Sequence, residues 1–290
     1  MAQATDDTPK ESATQYITKE QFESEEYTWL KNKKSKVLLF VFNEGRDKEG
    51  TLYERRGSEW EVCKLKKYFK KLLGDVDFED YTIRNVTELP AIFDDEFQDD
   101  KRNMDYNCFV FILLSFGEND TIFCSDNEIT ITNFIEPIKR KQSMALKPKL
   151  FFIQNGDERF TGQVNGEILK GAGSDKYEVR SVPQEADFFI MQSSIPESLF
   201  PHTKFRDTNE CIFMKYLIET IKDVKQEPGK IQLDIHKLSI RINAKVNKRL
   251  LDDTESNKDK RMYFDRLPIP EVTSTLTKAL YFPCISEIRS

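Results

Sequence analysis

Four unbroken apolar runs, each about the length of one strand and far apart in the chain, constrain the fold more than any other feature. They are Val37, Leu38, Leu39, Phe40, Val41 and Phe42; Cys108, Phe109, Val110, Phe111, Ile112, Leu113 and Leu114; Leu150, Phe151, Phe152 and Ile153; and Phe188, Phe189, Ile190 and Met191. A strand that is apolar at every position is buried on both faces, as in a parallel sheet with helices on each side. Between the first two runs, Val62, Leu65, Phe69, Leu72 and Leu73 recur at three- and four-residue spacing. That spacing predicts a helix with one apolar face, with Ser58 as its cap and Gly74 as its stop. Strand, helix, strand is the rhythm of a wound α/β sheet.

The remaining elements are shorter. Residues 81–86 read as a strand, and residues 89–97 as an acidic helix behind Thr87 as cap. Ile122-Phe123 and Glu128-Ile129 suit a hairpin across the turn at 124–127. Cys211, Ile212, Met214, Tyr216, Leu217 and Ile221 suit a helix. Residues 231–250 are ambiguous, because Leu238, Ile240 and Ile242 alternate like a strand while the helical pattern is weaker. Residues 279–283 read as a closing strand. Residues 1–34 are polar and charged, and are expected to be a flexible extension. Residues 156–185 hold five glycines, at 156, 162, 166, 171 and 173, and are expected to be a flexible linker. The two remaining portions are 35–155 and 186–290.

Composition excludes several classes. The net charge of −6 argues against a general nucleic-acid binder, although a local basic groove is compatible with it. The five cysteines, at 63, 108, 124, 211 and 284, include no Cys-x-x-Cys pair, and at least Cys108 lies in an apolar run. This is the pattern of thiols in a reducing compartment. The two histidines, His202 and His236, match no zinc spacing, so neither a metal nor another cofactor is expected. No run of about 18 apolar residues spans a membrane, and the first residues lack a charged-then-apolar leader. The expected compartment is the cytosol, with no membrane partner.

Two strand ends carry the functional signal. The run at 109–114 ends on Ser115-Phe116-Gly117, and the run at 150–153 ends on Gln154-Asn155-Gly156. The first resembles the caspase strand that ends in Ser-His-Gly, with Phe116 at the histidine's place. The second resembles the caspase strand that runs into Gln-Ala-Cys-Arg-Gly, with Gly156 at the cysteine's place. Further matches follow in order. Arg55-Arg56-Gly57-Ser58-Glu59 is similar to the family's Arg-x-Gly-Thr-Asp. Val182-Pro183-Gln184-Glu185-Ala186-Asp187-Phe188 is similar to the start of the small subunit. Ser193-Ser194-Ile195-Pro196 is similar to its Ser-x-x-Pro loop, and Leu276 to Phe282 to its last strand. The chain therefore resembles a caspase from about residue 36 to residue 283, with a large-subunit-like and a small-subunit-like portion.

The resemblance implies a caspase-like α/β fold, a central, mostly parallel six-stranded sheet with helices on both faces, and it resolves the ambiguous residues 231–250 to a helix. It also implies that the chemistry is lost. In the family a cysteine thiolate attacks the carbonyl after an aspartate, and a histidine moves the proton. Phe116 carries no proton and Gly156 has no side chain, so no catalytic residue is expected. Cys124 is the one substitute worth weighing, and no histidine is placed to activate it. Of the groups that grip the substrate aspartate in the family, Arg55 and Gln154 fill two positions. The third, an arginine, has no counterpart near His202. Arg55 is equally open to pairing with a nearby carboxylate. Asp175, in a glycine-rich context, is a possible processing site.

Caspases pair through a small-subunit strand. Its counterpart here is residues 269–275, whose dimer edge would be Glu271, Val272 and Thr273. Glu271 beside its own copy disfavours a homodimer and points to a heterodimer with an active caspase. The expected function is that of an inactive caspase homologue that regulates an active caspase, as activator or decoy, in apoptosis or a related pathway. The alternatives are an adaptor for aspartate-bearing peptides through Arg55 and Gln154, and an active peptidase with a rebuilt site.

Overall fold

Every apolar run becomes a strand of one sheet. The computed structural model describes residues 23–55, 58–118, 120–156, 186–195, 211–224, 233–256 and 269–283. Its main strands are β1 (Lys34–Phe42), β4 (Val76–Ile83), β5 (Tyr106–Glu118), β8 (Lys149–Gly156), β9 (Phe188–Ser193) and β10 (Glu271–Ser274). They lie in the order β10-β9-β8-β5-β1-β4. The pairs β4/β1, β1/β5, β5/β8 and β8/β9 are parallel, and β10 runs antiparallel to β9. The expected mostly parallel six-stranded sheet is thus present. A small hairpin, β2 (Glu44–Arg46) with β3 (Leu52–Glu54), stands beside it. A second, β6 (Thr121–Phe123) with β7 (Glu128–Thr130), continues from the end of β5.

Alternate residues of the buried strands feed two cores. Val37, Leu39, Val41, Val110, Ile112, Leu114, Leu150 and Phe152 face helices α1 (Ser58–Leu73), α5 (Ile212–Val224) and α6 (Ile235–Ser256). Leu38, Phe40, Phe42, Phe109, Phe111, Leu113, Phe151 and Ile153 face α2 (Leu89–Phe97) and α4 (Ile131–Lys139), between which the chain forms the short α3 (Asp100–Met104). The second core is rich in phenyl rings: Phe40 meets Phe134 edge-on at 5.1 Å, and Phe111 stacks on Phe151 at 4.6 Å. In α1, Leu65, Phe69, Leu72 and Leu73 are buried as the spacing predicts. Gly74 ends the helix at φ 84, a conformation that costs glycine nothing.

Several boundaries differ from the sequence reading. The strand expected at 81–86 is β4, which begins at Val76 and ends at Ile83. It is an edge strand, so Glu79 and Asp80 stay exposed and disguise its pattern. The helix at 89–97 is not entered through Thr87. A single 3-10 turn at Val86–Glu88 leads into it, and the Glu88 carboxylate accepts the Asn85 N–H at 2.8 Å. The ambiguous stretch is helix α6, in which Leu238, Ile242, Val246 and Leu250 are buried and Ile240 points to solvent. Residues 279–283 form no ladder strand. Ala279 bridges Glu26 and Tyr281 bridges Asp234, each as an isolated pair.

Of the expected extension, residues 1–22 lie outside the described residues, and residues 23–33 run against the domain. The Tyr27 hydroxyl donates to Asp187 at 2.6 Å, and the Trp29 indole donates to the Tyr281 carbonyl at 2.5 Å. The Leu30 N–H reaches Asn107 at 2.9 Å. Near the amino ends of β1 and β5, a charged cluster ties the edge strand down. Buried Lys36 lies 3.1 Å from Asp77 and 2.8 Å from Glu96, and Tyr106 and Arg102 both donate to Asp77.

Candidate functional site

Parallel strands of an open sheet present their carboxyl ends to one crevice, where α/β proteins place their ligands. At that end of this sheet β5 and β8 finish side by side. Leu114 pairs with Gln154, Ser115 with Asn155, and Phe116 with Gly156. The two positions that the sequence singles out as histidine- and cysteine-equivalent are therefore direct neighbours on adjacent strands. Phe116 is buried, and its ring lies 5.9 Å from that of Tyr53, which also stacks on Phe123 at 5.8 Å. The Tyr53 hydroxyl donates to Asp47 at 2.9 Å. Phe116 thus belongs to an aromatic cluster of β3, β5 and β6.

The strand ends are locked by polar contacts. The Ser115 hydroxyl lies 3.0 Å from the Gln154 carbonyl and 3.2 Å from the Asn155 side-chain oxygen. The Asn155 amide donates to the Thr121 carbonyl at 3.0 Å. Gly117 sits between these groups, and a Cβ there would overlap both the Thr121 carbonyl and the Asn155 side chain.

The two substrate-pocket candidates are both internal. Arg55 is buried and forms a short ion pair with Glu61, the fourth residue of α1. Gln154 is buried and donates its amide to the Ile195 carbonyl at 2.7 Å. Its side-chain oxygen has no hydrogen-bond partner among the described residues. Cys211 lies beside the pair: its thiol hydrogen-bonds Arg55, yet burial and the Glu61 charge push it up to about 12. The sequence reading missed Glu61. Its signal was available, since Glu61 falls on the same helical stripe as Leu65, Phe69 and Leu72, where a carboxylate needs a buried partner.

Cys124, the substitute nucleophile weighed above, is buried at the end of β6, and its N–H donates to the Asn127 carbonyl at 3.0 Å. Burial, with Asp126 and Glu88 nearby, pushes its thiol up to about 12. Burial likewise raises Cys108 to about 12. His236 packs its ring against Phe189 at 5.8 Å. His202 and Asp175 lie outside the described residues. No cluster of three metal-ligating side chains occurs among the described residues, and no helix among them is long and apolar enough to cross a membrane.

The pairing-edge candidates Glu271, Val272 and Thr273 all lie on β10. They pair with Gln192, Met191 and Ile190 of β9. The Thr275 N–H donates to the Phe188 carbonyl at 2.8 Å, so alternation turns the N–H groups of Thr273 and Glu271 toward β9. The Val272 and Ser274 N–H groups consequently face outward. Among the described residues no strand covers that side, and Val272 is 38% exposed.

A sheet of parallel strands with an antiparallel sixth, and two strand ends paired in register at its carboxyl edge, define a mostly parallel α/β scaffold. A family model described as the caspase domain matches residues 35–281, and the chain belongs to the caspase family. Caspase-7 of Gallus gallus is 28% identical over 267 residues, covering 89% of this chain and 80% of that protein. Caspase-3 of Mesocricetus auratus is 27% identical over 254 residues, covering 85% and 83%. The crystal structure of caspase-1 from Spodoptera frugiperda superposes with a TM-score of 0.62 at 23% identity, covering 89% of this chain and 93% of that one.

Proposed function

We propose that this chain is a caspase-family regulator without peptidase activity of its own, acting by pairing with an active caspase. The observation that carries the reading is the register of Phe116 against Gly156. Covalent amide hydrolysis needs a nucleophile and a proton carrier that converge on one carbonyl. A buried phenyl ring and a residue without a side chain supply neither. Losing one member of such a unit costs several orders of magnitude in rate, and losing the second adds little. Cys124 and Cys211 are no replacements, because burial keeps both thiols protonated at neutral pH.

Pairing is the use left to the retained scaffold, and the β10 edge supports it. Its outward N–H groups at Val272 and Ser274 form a short template for a partner strand. Activation, by completing the partner's loops, and inhibition, as a decoy, would use the same edge. The adaptor reading is weaker. Glu61 already holds Arg55, and Gln154 spends its amide on Ile195. The test is native mass measurement of this chain mixed with an active caspase from the same cell. A one-to-one complex is expected. Val272→Pro removes an outward N–H without touching the β9 ladder, and should abolish the complex. Absence of a complex with the unaltered chain would end the proposal.

A further inference from the structure

The outer face of α1 departs from the charge of the rest of the molecule. The helix carries Lys64, Lys66, Lys67, Lys70 and Lys71, against only Glu59 and Glu61, and Glu61 is turned inward to Arg55. At 100° per residue, Trp60, Lys64, Lys67 and Lys71 form one stripe opposite the buried stripe of Leu65, Phe69 and Leu72. Lys70 flanks that stripe, and Lys66 lies further round the helix, over the Phe78 ring at 5.5 Å. Trp60 is 49% exposed at its start, and the Lys64 ammonium lies over its ring. Lys222 of α5 extends the patch: it, Lys67 and Lys71 surround the Tyr68 ring at 5.1, 5.9 and 5.1 Å. Lys66, Lys67, Lys70, Lys71 and Lys222 meet no carboxylate among the described residues, whereas Lys36, Lys48, Lys139 and Lys245 each do. Acidic residues on α1 and on the elements beside it include Glu59 at the helix start, Asp75 just past the helix end, Asp80 on β4, and Glu219 and Asp223 on α5, of which Asp223 is held by Lys245 at 2.5 Å.

We propose that this lysine face of α1 docks the protein onto an anionic bilayer surface, with Trp60 as its interfacial anchor. Three features select that occupant. The cations on α1 are all lysines, strongly hydrated point charges that suit a diffuse negative layer; a specific protein interface favours arginine and is depleted in lysine. The face is the convex outside of a helix about 24 Å long, which meets a plane more readily than it tracks a strand. Single-stranded nucleic acid needs open rings for stacking, and Tyr68 is ringed by ammonium groups. Clusters of four to eight lysines on one helix face attract anionic leaflets, and tryptophan settles at the headgroup level. The protein would associate peripherally, since the apolar face of α1 is used in the core.

The test is co-sedimentation of the full chain with phosphatidylcholine vesicles with and without phosphatidylserine, read beside Trp60 emission. Binding should require phosphatidylserine, fall with salt, and shift Trp60 emission to the blue while Trp60→Phe removes that shift. Each lysine near the surface is worth about fivefold in partitioning, so the triple change Lys67→Ala, Lys70→Ala and Lys71→Ala should weaken it roughly a hundredfold. The matching triple change to arginine should retain it, which separates lost charge from lost folding. No association with phosphatidylserine vesicles overturns the proposal. So does equal binding by the alanine triple, or binding confined to a single-stranded oligonucleotide run in parallel.

Discussion

Breaking the buried pair of Arg55 and Glu61 is the sharpest test of whether Arg55, a substrate-pocket candidate from the sequence, is now part of the core. The side chains are 1% and 9% exposed, and the pair is sealed further by Cys211. Removing one partner strands the other charge in a dry site, which costs about 3–5 kcal/mol. Arg55→Met and Glu61→Leu should therefore each lower the urea midpoint strongly. The double variant replaces the ion pair with apolar groups of similar volume and should fall within about 1 kcal/mol of the unaltered protein. The assay is equilibrium urea unfolding of the four proteins, closed as a double-mutant cycle. A strong coupling between the two positions is the signature of a structural pair. An Arg55→Met midpoint equal to that of the unaltered protein, with aspartyl-peptide binding that Arg55→Met abolishes, would refute the reasoning. Arg55 would then be a ligand-gripping group and not part of the core.

Other outcomes follow from the same geometry. Gly117→Ala forces a Cβ into the Thr121 carbonyl and the Asn155 side chain, and should cost at least about 1–3 kcal/mol in thermal unfolding, whereas Gly50→Ala meets nothing in its surroundings except an unfavourable positive φ. Burial alone would raise the Asp77 carboxyl, but hydrogen bonds from Tyr106, Lys36 and Arg102 hold it down to about 2. Its folded value is below the unfolded one near 3.9, so its contribution is complete above about pH 4 and is lost as pH falls toward 2; Asp77→Asn should flatten that part of the stability profile. Exposure to an active caspase should cut the chain after Asp175, visible as two fragments by intact mass and absent in Asp175→Ala.

Much of the fold was legible because strands buried on both faces leave short apolar runs, rich here in Phe, Val and Ile, whose length and composition favour strand over buried helix. The runs at 37–42, 108–114, 150–153 and 188–191 became β1, β5, β8 and β9. The edge strand β4 was half hidden, since its exposed acids read as loop. Helix α6 was ambiguous because Ile240 is exposed yet sits midway between Leu238 and Ile242, imitating alternation. Only the caspase resemblance tipped it to a helix. At the site, the motifs around Phe116 and Gly156 singled these residues out, and the structure adds that they pair in register on adjacent strands. The partner of Arg55 was not found, although Glu61 lay in plain view on an apolar helical stripe. The lysine face of α1 was not recognised either, because the helix was read only for its buried side and the chain's net charge is negative.

The most direct measurement is titration of the purified chain into an active caspase from the same cell, following aspartyl-peptide hydrolysis, with the chain alone and its Val272→Pro variant as controls. The account predicts a silent chain alone and a partner rate that changes in proportion to added chain, upward for an activator or downward for a decoy. The Val272→Pro variant should leave that rate untouched. Hydrolysis by the chain alone, or a partner rate that never moves, would contradict it.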